Sequence, residues 1–285
     1  MLSMKIGKFE IFVVETGSFA LDGGAMFGII PKPIWSKQHQ PDQSNRIKMS
    51  LRTLLLVSDE RKILIDTGMG NKWNDKLNSI YDINYSEDDL AKSLSSCGFK
   101  KEDITDVFLT HLHFDHAGGA TELVDGKLIP SFPNAKYFVQ RDNLSWAINA
   151  TERDKGSYLE ENFIPLIEEG VLALLDKSTK YFDDGLEIIV VNGHTNAQQL
   201  LKISDEANTI LFAGDLIPFA SHLHLPVIMG YDLQPLITLQ EKKEILPRAV
   251  DENWIIFFEH DFTTLASTVK IGEKGFTIDK KFESI

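Results

Sequence analysis

The 285-residue sequence predicts an α/β protein of two β-rich layers covered by helices, with a site along one edge of the sheets. Two observations predict it. Short apolar runs of strand character recur in both halves of the chain, separated by segments of helical periodicity. Several of those runs end in a potential metal ligand, at Asp66, His111, His194, Asp215 and His260, as strands do where a site collects at one sheet edge.

The elements follow in order. Residues 9–15 and 50–57 are apolar or β-branched runs, and 62–65 follows across the polar turn Ser58-Asp59-Glu60-Arg61 as in a hairpin. Between the first two, residues 21–35 read as a Gly- and Pro-punctuated loop exposing Met26, Phe27, Ile29, Ile30 and Trp35. Ser86-Glu87-Asp88-Asp89 has the form of an N-cap with an acidic residue three positions on. Leu90 and Leu94 continue at helical spacing, and Gly98 supplies a stop. The single cysteine, Cys97, reads as a small apolar filler at the end of that helix; it excludes an internal disulfide and a Cys-rich zinc site. Residues 106–109 form a buried strand, and 142–175 are mainly helical, with Trp146, Leu159, Phe163, Ile164 and Ile167 as the apolar face.

Strands return at 186–191, ending in Asn192-Gly193-His194. A hairpin of 200–204 and 209–212 then runs into Ala213-Gly214-Asp215. A helix over about 235–249 leads to a strand at 254–258 and to Glu259-His260, and two short strands near Gly272 and Gly275 finish the chain. With no short-period repeat and no low-complexity segment, residues 1–285 read as a single domain.

The chemistry concentrates in Thr110-His111-Leu112-His113-Phe114-Asp115-His116-Ala117-Gly118-Gly119, which holds three of the eight histidines. Imidazole and carboxylate at this density suit a divalent ion of the zinc class. His111 and His113 leave the preceding strand on one side. Asp115 and His116, at the turn that Gly118 and Gly119 permit, address a second position close by. This predicts a two-metal site and a hydrolase.

Composition narrows the partners. A net charge of −13 argues against a nucleic acid. The run Ile11-Phe12-Val13-Val14 is too short for a signal core or a membrane span, so a cytoplasmic enzyme of a small molecule, without a membrane partner, is expected.

His111-x-His113-x-Asp115-His116, followed by Gly193-His194, Gly214-Asp215 and Glu259-His260, resembles the metallo-β-lactamase superfamily over most of the chain. The resemblance implies a four-layer αβ/βα sandwich with a dinuclear site between the sheets. It also implies that His111, His113 and His194 hold one metal, Asp115, His116 and His260 the other, and that Asp215 bridges them. The expected cofactor is two divalent ions, zinc first, with iron or manganese as alternatives, sharing a hydroxide. Asp115 gains a catalytic role as proton shuttle. Asp66, in Ile65-Asp66-Thr67-Gly68, is expected behind the ligands, orienting a histidine, with a turn Asp as the alternative.

Members that reduce oxygen or nitric oxide commonly carry Glu at the position of His113, and penicillin-hydrolysing members Cys at that of Asp215, so both branches are disfavoured. The stretches Leu21-Asp22-Gly23-Gly24-Ala25-Met26-Phe27-Gly28 and Ala220-Ser221-His222-Leu223-His224 resemble the quorum-quenching lactonases, which open N-acyl-homoserine lactones. Many of those carry a Tyr where this chain has Pro218, and Tyr231 or His222 is the candidate replacement. Met26, Phe27 and Trp35 either line an apolar substrate channel or pack a core or dimer contact. His222 and His224 line the pocket, hold a third metal, or pack a loop. The alternative functions are a glyoxalase II-like thioesterase, for which no basic residue is evident at the mouth, and a mononuclear-iron persulfide dioxygenase. A homodimer is expected from the resemblance alone.

Overall fold

The computed structural model describes residues 3–84, 89–176 and 181–285. Its first half builds β1 (Met4–Ile6), β2 (Phe9–Asp22), β3 (Arg46–Val57), β4 (Lys62–Ile65) and β5 (Asp106–Phe108), a small separate hairpin of β6 (Thr121–Val124) and β7 (Lys127–Pro130), and then β8 (Lys136–Gln140) and β9 (Leu172–Leu175). All but the hairpin form a seven-stranded sheet in the order β1-β2-β3-β4-β5-β8-β9, antiparallel as far as β4 and parallel from β4 to β9. The second half supplies β10 (Tyr181–Asp183), β11 (Leu186–Val191), β12 (Gln198–Ser204), β13 (Thr209–Phe212), β14 (Ile255–Phe257), β15 (Ala266–Gly272) and β16 (Gly275–Phe282), a seven-stranded sheet in sequential order whose only parallel pair is β13–β14.

The strands alternate to make this a sandwich. Leu54, Leu56, Ile63, Ile65 and Phe108 face inward from the first sheet and meet Leu201, Ile203, Ile210, Phe212 and Phe257 from the second, all of them buried. Their neighbours Leu55, Leu64 and Val107 face outward, into a layer with Leu94 and Leu144. On the far side Leu200, Leu211 and Ile256 lie under Ile245, Leu246 and Ala249 of the helix Pro235–Asp251. Period-two strands with apolar residues on both faces require helices on both sides, giving the αβ/βα order of layers.

Two polar contacts hold the sheets in register near the site. Gln199 Nε2 donates to Leu109 O at 2.8 Å while its Oε1 accepts from Gln140 Nε2 at 2.9 Å. A bulge in β2 between Glu15 and Ser18 bends the β2–β3 ribbon, and β3 donates from Ser50 N to His260 O at 3.0 Å in the other half of the molecule.

The differences from the sequence reading have local causes. Residues 21–35 are no loop: β2 continues to Asp22, whose carboxylate caps the helix Gly23–Phe27 through Ala25 N, and Lys32–Trp35 adds another turn. Met26, Phe27 and Trp35 are buried there, and only Ile29, 89% exposed, stands out as expected. Residues 142–175 are α-helical only over Arg141–Ile148 and Ile164–Glu168, with single 3-10 turns at Lys155–Ser157 and Glu160–Asn162 between them. Gly170 then takes a left-handed φ of 70° and releases Leu172–Leu175 as a strand. Strand β8, absent from the sequence reading, is paired between β5 and β9. The N-cap reading at Ser86, Glu87 and Asp88 lies outside the described residues; Asp89 caps Leu90–Ser96 by accepting from Lys92 N. Among the described residues no helix is long and apolar enough to cross a membrane.

Candidate metal centre

Parallel strands deliver their C-terminal ends to one edge, and the candidate ligands sit there. Asp66 follows β4, Thr110 and His111 follow β5, Asp215 follows β13 and His260 follows β14. Asp115 and His116 occupy the one-turn helix Phe114–Ala117, and His194 the loop after β11. That helix can sit so close to Asp66 because Gly118 has no side chain: a Cβ there would lie 2.2 Å from Met69 O.

Beside a smaller set of Asp66, His116 and Glu259, two groups of four ligand atoms form, each with all members within 4.8 Å of one another: His111, His113, His194 and Asp215, and Asp115, His116, Asp215 and His260. Asp215 belongs to both. Its Oδ2 is 3.1 Å from His194 Nε2 and 3.5 Å from His116 Nε2, and its Oδ1 is 3.2 Å from His260 Nε2. His113 Nδ1 is 3.0 Å from His111 Nε2 and 3.1 Å from His194 Nε2.

The outward-facing nitrogens decide what the inward ones can do. Four of the five face an acceptor: His111 Nδ1 meets Thr110 Oγ1 at 3.0 Å, His194 Nδ1 meets Asp232 Oδ1 at 2.9 Å, His116 Nδ1 meets Asp66 Oδ2 at 3.1 Å, and His260 Nδ1 meets Ser50 O at 3.0 Å, whereas the outer Nε2 of His113 has no partner among the described residues. Thr110 Oγ1 can accept because its own hydroxyl donates to Asp66 Oδ2 at 2.7 Å. These contacts place the N–H on Nδ1 and turn the Nε2 lone pair inward, the tautomer a metal needs. In their neutral, metal-binding form these nitrogens would point lone pairs at one another around a buried carboxylate, an arrangement that cannot satisfy itself, and Asp215 Oδ1 has no hydrogen-bond partner. Divalent cations fit this donor set.

The electrostatics follow from the same crowding. Burial holds His111 and His113 well below the ordinary imidazole range, and the neighbouring imidazoles add to it. Burial also opposes a charge on His194, but Asp215 and Asp232 outweigh it and push that group up to about 10. His260 goes up to about 9 for the same reason, with burial overcome by Asp215 and Glu259. Burial resists ionisation of Asp215, yet His116, His194 and His260 hold it well below the usual carboxylate range. The site is thus a buried anion ringed by potential cations, an arrangement that metal ions would replace.

Behind the ligands stand Asp66, read from the sequence, and several positioning residues that carry no motif. Asp66 sits in a left-handed conformation at φ 58° and accepts from Thr110 N at 2.7 Å. Asn143 accepts from Leu112 N and donates to Asn196 O, joining the two histidine loops. Thr238 donates to Asp232 Oδ2 at 2.7 Å, and Glu241 accepts from the amides of Asn192 and Gly193. Glu259 Oε2 lies 3.2 Å from His116 Nδ1, and burial pushes its carboxyl up to about 7. Only its adjacency to His260 hinted at it.

Above the ligands lies a cavity of about 340 Å³, whose wall includes Met26, Tyr81, Asp115, Arg153, Met229 and Tyr231. Of the six pocket candidates from sequence, Met26 and Tyr231 reach it, whereas Phe27, Trp35, His222 and His224 do not. Phe27 stacks on Trp35 at 5.4 Å behind the wall. His222 donates from Nε2 to Met26 O at 2.9 Å, where burial lowers it to about 3. Apolar packing around these rings outcompeted the cavity. His222 and His224 join no ligand group among the described residues. Arg153 supplies the basic residue that the sequence did not place at the mouth.

Comparison with known proteins agrees with this architecture. N-acyl homoserine lactonase of Bacillus cereus is 26% identical over 238 residues, covering 76% of this chain and 83% of that one. The N-acyl homoserine lactonase AiiB of Agrobacterium fabrum is 31% identical over 150 residues, covering 48% of this chain and 53% of its own. A probable metal-dependent hydrolase from Staphylococcus aureus superposes with a TM-score of 0.87 at 28% identity, over 99% of this chain and 100% of that one. A dizinc quorum-quenching lactonase in complex with a product superposes at 0.81 and 24% identity, over 99% and 97%, a likeness of fold. Residues 52–260 match the metallo-beta-lactamase superfamily. With that match spanning most of the chain and both ligand groups inside it, the protein belongs to the metallo-beta-lactamase superfamily and is a metal-dependent hydrolase.

Proposed function

We propose that the protein opens a small lactone of the N-acyl-homoserine type at a dinuclear site. The observation that carries the reading is the floor of the cavity: the two ligand groups share Asp215, with each outer histidine nitrogen but that of His113 held on an acceptor. His111, His113 and His194 would hold one ion, and Asp115, His116 and His260 the other, with Asp215 between them. Zinc is the proposed metal, in keeping with the all-nitrogen-and-oxygen set. Such ions supply Lewis acidity and a nucleophilic water at neutral pH.

The chain's own residues do the rest. Asp115 is 7% exposed and lines the cavity, so its carboxylate is within reach of a leaving oxygen and can carry a proton to it. Met26, Met49 and Met229 offer an adaptable apolar wall for an acyl chain. Tyr231 takes the part left open by Pro218: it lines the cavity, and burial pushes its phenol up to about 12, so it stays a donor. A carboxylate-bearing thioester is a second substrate class, favoured by Arg153 on the same wall.

The test combines metal analysis of the purified protein with N-hexanoyl-homoserine lactone, an acyl thioester and a phosphodiester as substrates. Two zinc-class ions per chain and preferential lactone hydrolysis are expected. One iron per chain, or a preference for the phosphodiester, would overturn the reading.

A further inference from the structure

We infer that Arg153 is a specificity-determining residue, reading an acceptor oxygen (amide carbonyl or carboxylate) on the part of the substrate that flanks the scissile bond. The inference rests on the proposed ester-opening function and narrows its substrate class.

Among the described residues Arg153 is the only lysine or arginine on the cavity wall, whose other ionisable groups are carboxylates, phenols and candidate ligand histidines. Its Nη2 donates to Gly230 O at 2.7 Å, and it forms no ion pair among the described residues. The neighbouring Asp154 is not paired with it: that carboxylate accepts from Thr151 N at 2.9 Å and from Trp146 Nε1 at 2.7 Å. A guanidinium offers five N–H donors in a rigid fork, and one anchored donor leaves the others available.

The anchor is itself fixed. Gly230 N donates to Ala25 O at 2.7 Å, and a Cβ at 230 would come within 3.2 Å of the same oxygen. Gly28 takes φ 54°, and a Cβ there would lie 2.5 Å from Ile228 O, so the two backbone segments pack without intervening side chains. The peptide that holds Arg153 therefore belongs to a rigid part of the wall. The cavity wall thus combines the Arg153 guanidinium with the apolar side chains Leu21, Met26 and Met229. A substrate with its reacting carbonyl on the ligand floor and a second oxygen acceptor beside it satisfies both. A plain alkyl lactone satisfies only the apolar side chains.

The experiment compares the metal-loaded wild type with Arg153→Met and Arg153→Lys on three probes: N-hexanoyl-homoserine lactone, an alkyl γ-lactone of similar length without an amide, and an acyl thioester bearing a carboxylate. Arg153→Met should lower kcat/KM about tenfold on whichever acceptor-bearing probe the wild type prefers, mostly through KM. The alkyl lactone should change less than about twofold, with metal content unaltered. Arg153→Lys should recover only part of the loss, since an ammonium lacks the fork. A larger effect on the lactone assigns the oxygen to an amide, and on the thioester to a carboxylate. Equal losses on all probes, or none on either acceptor-bearing probe, would overturn the role of Arg153 while leaving ester hydrolysis standing. A metal-loaded wild type that hydrolyses none of the three would overturn both.

Discussion

Asp115 and Asp66 differ in what they face: Asp115 lines the cavity, whereas Asp66 is fully buried behind the histidines. Asp115 lines the cavity with its Oδ2 3.7 Å from both His116 Nε2 and His260 Nε2, so it is placed to hold an ion and to move a proton. Asp115→Asn keeps the shape and removes the charge and the proton carrier together. Turnover is expected to fall at least about a hundredfold in a folded protein. Near-normal turnover, read alongside metal content, would contradict the assignment. Asp66 is fully buried and binds Thr110 N, Thr110 Oγ1 and His116 Nδ1 with its two oxygens. Asp66→Ala is expected to weaken metal affinity by about 10- to 100-fold. Competition with a chromogenic chelator measures it, and unchanged affinity would reduce Asp66 to a turn former.

Among the elements, the helix Pro235–Asp251 stands out because it reaches both the ligands and the cavity wall. Its Thr238 and Glu241 fix Asp232 and the His194 loop. One turn on, the fully buried Lys242 donates to His224 O and Val227 O at 2.8 Å, just ahead of Met229 and Tyr231. Burial pulls Lys242 down to about 7, with Asp232 opposing, from a usual value of 10.5. Between about pH 7 and 10.5 the unfolded chain therefore binds a proton that the native state does not, and stability contributed by this group rises with pH across that window. Below pH 7 the full cost of burying the charge is present. Urea midpoints at pH 7 and 9 should show the wild type gaining on the order of 2 kcal/mol more than Lys242→Met over this interval. An equal pH dependence in the two proteins would show that the ammonium is not the group titrating.

What could be read from sequence depended on how local each signal was. The histidine cluster, and the hairpins β3–β4, β12–β13 and β15–β16, announce themselves within a few residues. The helix at 235 does too, with a proline in its first turn and Ile245, Leu246 and Ala249 at helical spacing. Strand β8 does not, because Lys-Tyr-Phe-Val-Gln follows an irregular stretch, and only pairing between β5 and β9 makes it a strand. Asp232, Asn143 and Lys242 were invisible for a related reason. A polar residue buried far along the chain from its partner leaves no spacing to recognise. The helical turn at 23–27 was hidden behind its glycines, which normally mark loops; here the Asp22 cap and a stacked Phe27–Trp35 pair hold it.

At the scale of the whole molecule the two sheets meet over an apolar core and over the ligands, which the first sheet's half supplies as His111, His113, Asp115 and His116 and the second as His194, Asp215 and His260. Bound ions would then stabilise the sandwich by mass action, adding about 4 kcal/mol when free metal stands a thousandfold above its dissociation constant. Chelation is expected to abolish hydrolysis and to lower Tm together, and restoring zinc should return both. A chelator that removes activity without moving Tm would place the ions outside the sheet interface.

The split of ligands between the halves also bears on how the protein matures. His116 and His260, whose Nε2 atoms are 3.3 Å apart, are separated by 144 positions, and His260 meets the carbonyl of Ser50 across 210. Contacts of such long range form late, because the loop they close must first lose its freedom. A chain still emerging from the ribosome owns the His111–His116 cluster long before its partners exist, so full loading of the proposed two-metal site would be a signature of completed assembly. In refolding, the appearance of two-ion binding should be no faster than the slowest docking phase, and metal uptake would serve as a clock for the last step of the fold.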